Sequence, residues 1–128
     1  MNIVEIQDAV NEIAKQPFDS AQFFFDFMKA YDGDAVTIKQ LQSGKKNESD
    51  LPDGILWKRH CHYSYNPTDG LNLGLERIAT TPKAKKFKCR FALTTDGTDV
   101  AAKDLQTGQS LFCALTELGD KFAFFLPI

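Results

Sequence analysis

The chain has 128 residues, 43% of them hydrophobic, which is the size and apolar content of one folded domain with one core. Its 15 Lys and Arg stand against 17 Asp and Glu, a net charge of −2, which excludes a chain-wide positive field; any attraction to polyanions must come from a local patch. No apolar run reaches the roughly 18 residues of a membrane span, and Glu5 and Asp8 fall where a secretory signal would need its hydrophobic stretch. A soluble, cytoplasmic protein with no membrane partner is expected.

In chain order, Ile3, Ile6, Val10 and Ile13 recur three and four apart, which predicts an amphipathic helix over residues 3–15, ended by Pro17. Asp19, with Gln22 three residues on, predicts a capped second helix, and Phe23 to Tyr31 is apolar almost all round, so that helix should be buried. After Asp32-Gly33-Asp34, the loose alternation of Val36 and Ile38 with Thr37 and Lys39 predicts a short strand over 35–41. Residues 42–54 are too poor in apolar groups to pack and read as a mobile loop.

Ile55 to Tyr65 is expected to form one aromatic-rich strand, with Leu56, Lys58, His60, His62 and Ser64 on one side and Ile55, Trp57, Arg59, Cys61, Tyr63 and Tyr65 on the other, mostly core, side. Leu71, Leu75, Ile78 and Ala79 predict a helix closed at Thr81-Pro82. Phe87, Cys89, Phe91 and Leu93 alternate with Lys88, Arg90, Ala92 and Thr94 as in a half-buried strand. Asp96-Gly97 and Thr107-Gly108 then turn the chain through strands at 98–103 and 110–114, a three-stranded antiparallel meander. A short helix over about 116–121 leads to an apolar stretch that runs to Ile128; a last strand in the sheet, or a chain cut from a longer protein, would account for it. The fold class is therefore α+β: N-terminal helices and a mixed, mostly antiparallel sheet with an intervening helix, all in a single domain of residues 1–128.

Cys61, Cys89 and Cys113 are odd in number and widely spaced, which suits reduced, buried thiols. His60 and His62 invite a metal reading, but two ligands do not make a zinc site, and a solvent-facing or hydrogen-bonded pair is the expectation. No strained nucleophile elbow and no phosphate-cradling glycine run is present. The concentrated feature is basic: Lys83, Lys85, Lys86, Lys88 and Arg90 put five cations into eight positions without an acid, on a loop and the solvent side of the strand after it. Such a cluster can neutralise phosphates, and Lys45, Lys46, Lys58 and Arg59 would extend it if folding brings them near. A solvated edge that discourages aggregation is the structural alternative.

A metal-dependent nuclease of the restriction-enzyme kind needs an acid and then a second acid two residues before a lysine. Between Gly54 and Asp69 there is no acid, and Lys58 follows Leu56 and Trp57, so the second acid is missing.

The segments Asp53-Gly54-Ile55-Leu56-Trp57-Lys58, Arg90 to Asp96 with Asp104-Leu105-Gln106-Thr107-Gly108, and Leu118 to Pro127 with Phe124-Phe125-Leu126-Pro127 resemble, in that order, the N-terminal region of bacterial class I SAM-dependent DNA methyltransferases of restriction-modification systems, including type IIG fusions. The resemblance covers the chain from Phe23 onward. It implies a domain related to the restriction-endonuclease-like fold, placed before a helical connector and an adenine-specific methyltransferase domain in the same chain. SAM is then expected in that parent enzyme and no cofactor in this domain. The adenine-gripping Asn/Asp-Pro-Pro-Tyr/Phe signature is absent, since Asn66-Pro67-Thr68-Asp69 has one proline.

Three roles follow. The first is a non-catalytic, nuclease-like accessory domain that helps the parent enzyme hold DNA through Lys58, Arg59, Lys83, Lys85, Lys86, Lys88 and Arg90. The second is an active magnesium-dependent endonuclease using Asp50 or Asp53 with Asp69 and Lys58. The third is a docking module for the methyltransferase body.

Overall fold

The computed structural model describes residues 2–51, 54–68 and 70–128. Helix α1 (Ile3–Lys15) starts where Asn2 Oδ1 accepts the Glu5 amide at 2.9 Å, satisfying one of the helix's free N–H groups. Helix α2 (Phe23–Ala30) is buried on nearly every side, and helix α3 (Ala35–Gln42) follows it. Strands β1 (Gly54–Trp57) and β2 (Cys61–Tyr65) form a hairpin, and helices α4 (Leu71–Ala79) and α5 (Pro82–Lys86) cross over to β3 (Phe91–Thr95), β4 (Asp99–Asp104) and β5 (Ser110–Ala114). Successive 3₁₀ turns over Leu115–Phe125 end the regular structure.

The five strands lie in chain order in one sheet, with β2 and β3 parallel and every other neighbouring pair antiparallel. A parallel pair cannot be joined by a tight turn, which is why two helices separate β2 from β3. Along β2 and β3, Cys61, Tyr63, Phe91 and Leu93 enter an aromatic core with α1, α2 and the 3₁₀ segment. In that core Phe24 stacks on Tyr63 at 4.7 Å and Phe27 meets Phe125 edge to face at 5.1 Å. The alternate residues face α4, and a small second cluster of Leu56, Ala84 and Cys89, with Phe87 and Leu105 packed on it, holds α5.

The α+β class, the mixed sheet and the meander agree with the sequence reading, and several local expectations are corrected. Asp19 does not cap α2: its side chain accepts the Ala21 amide in the turn before the helix, and Gln22 stands at the N-cap without a side-chain bond. Residues 35–42 form a helix and not a strand, because Asp34 Oδ2 accepts both the Thr37 amide and its hydroxyl, a cap that outweighs a four-residue alternation. Residues 55–65 are two strands around a turn closed by the His60 amide on the Trp57 carbonyl. The aromatic-core face is as expected, because Trp57 faces Cys61 and Leu56 faces His62, so like parity meets like. The opposite face is not a solvent face, since Leu56, His62, Ser64, Ala92 and Thr94 are buried as well and β3 is covered on both sides. The basic segment is not a loop: Thr81 caps α5 through the Ala84 amide and Pro82 sits in its first turn, and the strand begins only at Phe91. The apolar end is not a strand; its 3₁₀ turns bury Leu118 and Phe125 completely.

Helix α2 ends with the Gly33 amide on Met28 O at 2.8 Å and the Asp32 amide on Lys29 O at 3.1 Å, a Schellman motif in which Asp32 takes the left-handed conformation at φ 64°. A Cβ on Gly33 would lie 2.8 Å from the Met28 carbonyl oxygen, a backbone atom that cannot swing aside. Gly33→Ala should therefore destabilise the chain by about 1–3 kcal/mol, read as a lower urea midpoint with an unchanged slope; an unchanged midpoint would refute the assignment.

Candidate nucleic-acid interface

Four consecutive polar residues ahead of β1 tie the surrounding elements together. Asn47 Oδ1 accepts the Leu56 amide at 3.0 Å while its Nδ2 donates to Gly54 O at 2.7 Å, so Asn47 completes the outer edge of β1. Asp50 Oδ2 accepts the Lys83 amide at 3.1 Å, in the first turn of α5. Glu48 Oε2 lies 2.8 Å from Lys58 Nζ in the hairpin turn. Ser49 donates its hydroxyl to His62 Nε2 at 2.7 Å and accepts the Leu51 amide. The segment is irregular, as its composition predicts, and it is also clamped by its side chains.

His62 is fully buried on β2, on the face opposite the aromatic core. Its Nδ1 lies 3.2 Å from Ile78 O, and because a carbonyl can only accept, Nδ1 carries the proton and Nε2 is left to accept from Ser49. Ile78 O is among the last carbonyls of α4, which lack helical partners. Thr81 Oγ1, the α5 cap, lies 3.4 Å from the same Nδ1. One imidazole thus joins the polar segment, the end of α4 and the start of α5. Burial holds its pKa below the ordinary 6.5.

The cations predicted from the sequence gather on this frame. Lys58, Lys83 and Lys86 place their ammonium groups 4.6, 5.7 and 5.4 Å from the centre of the Phe87 ring. Their field, with the Lys58 hydrogen bond as the largest cause, holds the Glu48 carboxyl below its usual value. Arg59 and Lys88 line a cleft of about 380 Å³ with Arg90 and Gln106, and the Arg59 amide donates to Phe87 O, which joins the two groups. Lys85 lies exposed on α5. Lys46 lines a larger cleft, about 780 Å³, with Lys58, Trp57 and His60. Phe87, Glu48, Ser49 and Asn47 do not stand out in the sequence, although an Asn and a Ser two apart are typical of side chain-to-backbone turns.

Arg90 differs from the others. Its Nε and Nη2 donate to the two carboxyl oxygens of Asp104 at 2.8 and 2.9 Å, and Asp104 also accepts the Gln106 and Thr107 amides. Those bonds, that to Arg90 first, hold the Asp104 carboxyl at about 2. The guanidinium fork is committed to the β3–β4 join, which makes Arg90 a positioning group for the cleft.

The histidines do not form a chelating pair: His60 lies in the turn, 4.3 Å from the Trp57 ring, and His62 is enclosed by its own partners. The three thiols are free and buried, as expected, and burial pushes Cys89 up to about 11. Among the described residues no group of three or more His, Cys, Asp or Glu could hold a metal ion. Of the acids considered for a nuclease, Asp50 is bound to α5, while Asp53 and Asp69 lie outside the described residues.

Burial keeps both histidines below 6.5 in the folded chain, more proton-averse than in the unfolded one. Unfolding therefore takes up protons as pH falls through 6.5, and stability should drop there, by at most about 1.4 kcal/mol per pH unit for each histidine. Urea titrations between pH 8 and pH 5, run also on His62→Gln, check this: the drop should shrink in the variant, and a flat profile in the parent chain would contradict it.

No helix among the described residues is long and apolar enough to cross a membrane. No solved structure matches the chain. It is 27% identical over 126 residues to DNA methyltransferase A of Bacillus subtilis (strain 168), an alignment that takes in 98% of this chain and 14% of that protein. The chain thus spans about one-seventh of the length of that curated relative. Residues 1–128, the whole sequence, match the family described as MmeI, N-terminal domain, and the chain belongs to that family.

Proposed function

We propose that this chain is a DNA-holding accessory domain of a type IIG-like restriction-modification methyltransferase, with no chemistry of its own. The bond-making step, SAM and the target base then belong to a methyltransferase domain downstream in the same polypeptide, as the name of the relative suggests. The observation that carries the reading is the gathering of Lys58, Lys83 and Lys86 around Phe87, beside Arg59 and Lys88 in the adjoining cleft. Phosphate contacts of this kind give affinity and orientation without sequence information.

Backbone conformation supports it. Among the described residues three that are not glycine have positive φ, and two of them, Arg59 at 71° and Lys88 at 54°, are cations of this patch. Lys88 closes a Schellman motif on α5, with the Cys89 amide on Ala84 O and its own amide on Lys85 O, where glycine would carry no steric penalty. Long basic side chains at two such positions point to use of the charge. The absence of any acid on β1 or β2 supports a non-catalytic role, since the acid-x-lysine pattern has no strand to occupy there.

Replacing Lys83, Lys86 and Lys88 together by Gln should weaken binding of duplex DNA and flatten the dependence of log affinity on log salt by about 0.9 for each phosphate that is no longer neutralised, measured by fluorescence anisotropy at several salt concentrations. Unchanged affinity and slope would reject DNA holding in favour of docking on the methyltransferase body. Magnesium-dependent scission of plasmid by the purified chain, abolished by Lys58→Ala, would reject the non-catalytic role.

Lys88→Gly separates the two demands on one position. It should raise stability by about 1 kcal/mol through relief of the left-handed backbone and lower DNA affinity by removing one cation. Urea midpoints and anisotropy titrations on the same variant check both signs.

A further inference from the structure

Among the described residues one acid is paired with an ammonium group of the cluster around Phe87, and its placement is specific. Glu48 Oε2 sits 2.8 Å from Lys58 Nζ, and the carboxyl is lowered also by Lys83 and Lys86, so it lies in the shared field of all three ammonium groups that surround Phe87. Its backbone is fixed from both sides: Asn47 is bonded to β1 and Ser49 to His62. Its side chain is not enclosed, with 41% of its surface exposed against 49% for Lys58. An anion is therefore paired with Lys58, beside the ring that Lys83 and Lys86 share, on a main chain fixed from both sides and with a side chain open to solvent.

Resting on the DNA-holding role above, we propose that Glu48 is a displaceable stand-in for a backbone phosphate. In the free chain its carboxylate occupies Lys58; when duplex DNA arrives, a phosphate oxygen takes that place and the carboxylate swings into solvent. Lys58 needs no rearrangement for the exchange, because Phe87 supports its ammonium in position. The exchange makes weak, wrongly placed anions compete with a tethered carboxylate, so that only a phosphate array engaging Lys83 and Lys86 at the same time displaces it.

The test is Glu48→Gln, which keeps the shape and removes the charge, measured by anisotropy on duplex DNA across a salt series. Binding should tighten about three- to ten-fold at the lowest salt, as a competing charge is removed at close range, and the salt dependence should steepen by about 0.9 because Lys58 becomes one more counterion-releasing group. In a Lys58→Gln background the same change should have little effect, and Glu12→Gln, on the exposed side of α1, should have none. Glu48→Gln that leaves affinity and slope unchanged while the lysine triple variant weakens binding would overturn the stand-in and keep the DNA-holding role. So would an effect of equal size with and without Lys58, which would reduce Glu48 to a general contribution to net charge. Loss of DNA response in every variant would overturn the DNA-holding role itself. Coincident urea midpoints for Glu48→Gln and the parent chain confirm that folding is not the cause.

Discussion

A neutral imidazole with no solvent around it must have both nitrogens paired, and at His62 that requirement organises the end of the molecule that carries the basic cluster. Strand β2 is covered on both faces, so a polar residue directed away from the aromatic core has no route to water. Its partners are the Ser49 hydroxyl, the Ile78 carbonyl and, at longer range, the Thr81 hydroxyl, and these belong to three different parts of the chain. Satisfying one ring thus fixes the polar segment before β1, the end of α4 and the start of α5 relative to the sheet. Both Glu48 and the lysines of α5 inherit their positions from it.

The cations are held in place by contacts that have little to do with charge. Helix α5 has only five residues, too short to be stable by itself. It persists because Ala84 packs on Leu56 and Cys89, because Thr81 and Asp50 occupy free amides in its first turn, and because a Schellman motif closes its end. Phe87, at the C-terminal edge of the helix, then offers a ring to lysines from both α5 and the β1–β2 turn. Like-charged ammonium groups brought this close repel one another; the ring's negative face and the Glu48 carboxylate offset that repulsion in the free chain.

Much of the fold is legible in the sequence because it follows from hydrophobic period. The alternation of Trp57, Cys61, Tyr63 and of Phe91, Leu93 places the core face correctly, and Asp96-Gly97 and Thr107-Gly108 mark the meander. The errors fall where a short-range polar bond decides between conformations. Asp34 turns an alternating segment into α3, and Thr81-Pro82 starts a helix in a run of lysines too short to show helical spacing. The basic residues are legible by composition alone, and most of them do gather. Arg90 cannot be separated from its neighbours in sequence, because its partner Asp104 is brought to it only by the register of β3 with β4. By pattern alone Phe87 is a core residue of a strand and the polar run Asn47 to Asp50 a free loop, since the contacts that decide otherwise come from elements distant in sequence.

The distribution of acids bears on what kind of partner the domain serves. Nuclease chemistry on a sheet of this kind needs carboxylates on the strands, where the scaffold is most rigid. Here β1 and β2 carry none, β4 carries Asp99 and Asp104 at its two ends, and the acids near the basic cluster are bonded within the fold: Asp50 on an α5 amide, Asp104 on Arg90, Glu48 on Lys58. Two of these three are bonded to backbone amides or to a guanidinium, while Glu48 is bonded to a single ammonium. A surface built to hold a polyanion must keep its cations apart from each other and from stray anions until the right one arrives, and an acid in the position of Glu48 meets that need without closing the site. On the proposed reading, the domain lends the larger enzyme a preorganised grip on phosphates, and its conformational cost has been met within the fold, at Arg59, Lys88 and the clamp around His62, before any DNA is bound.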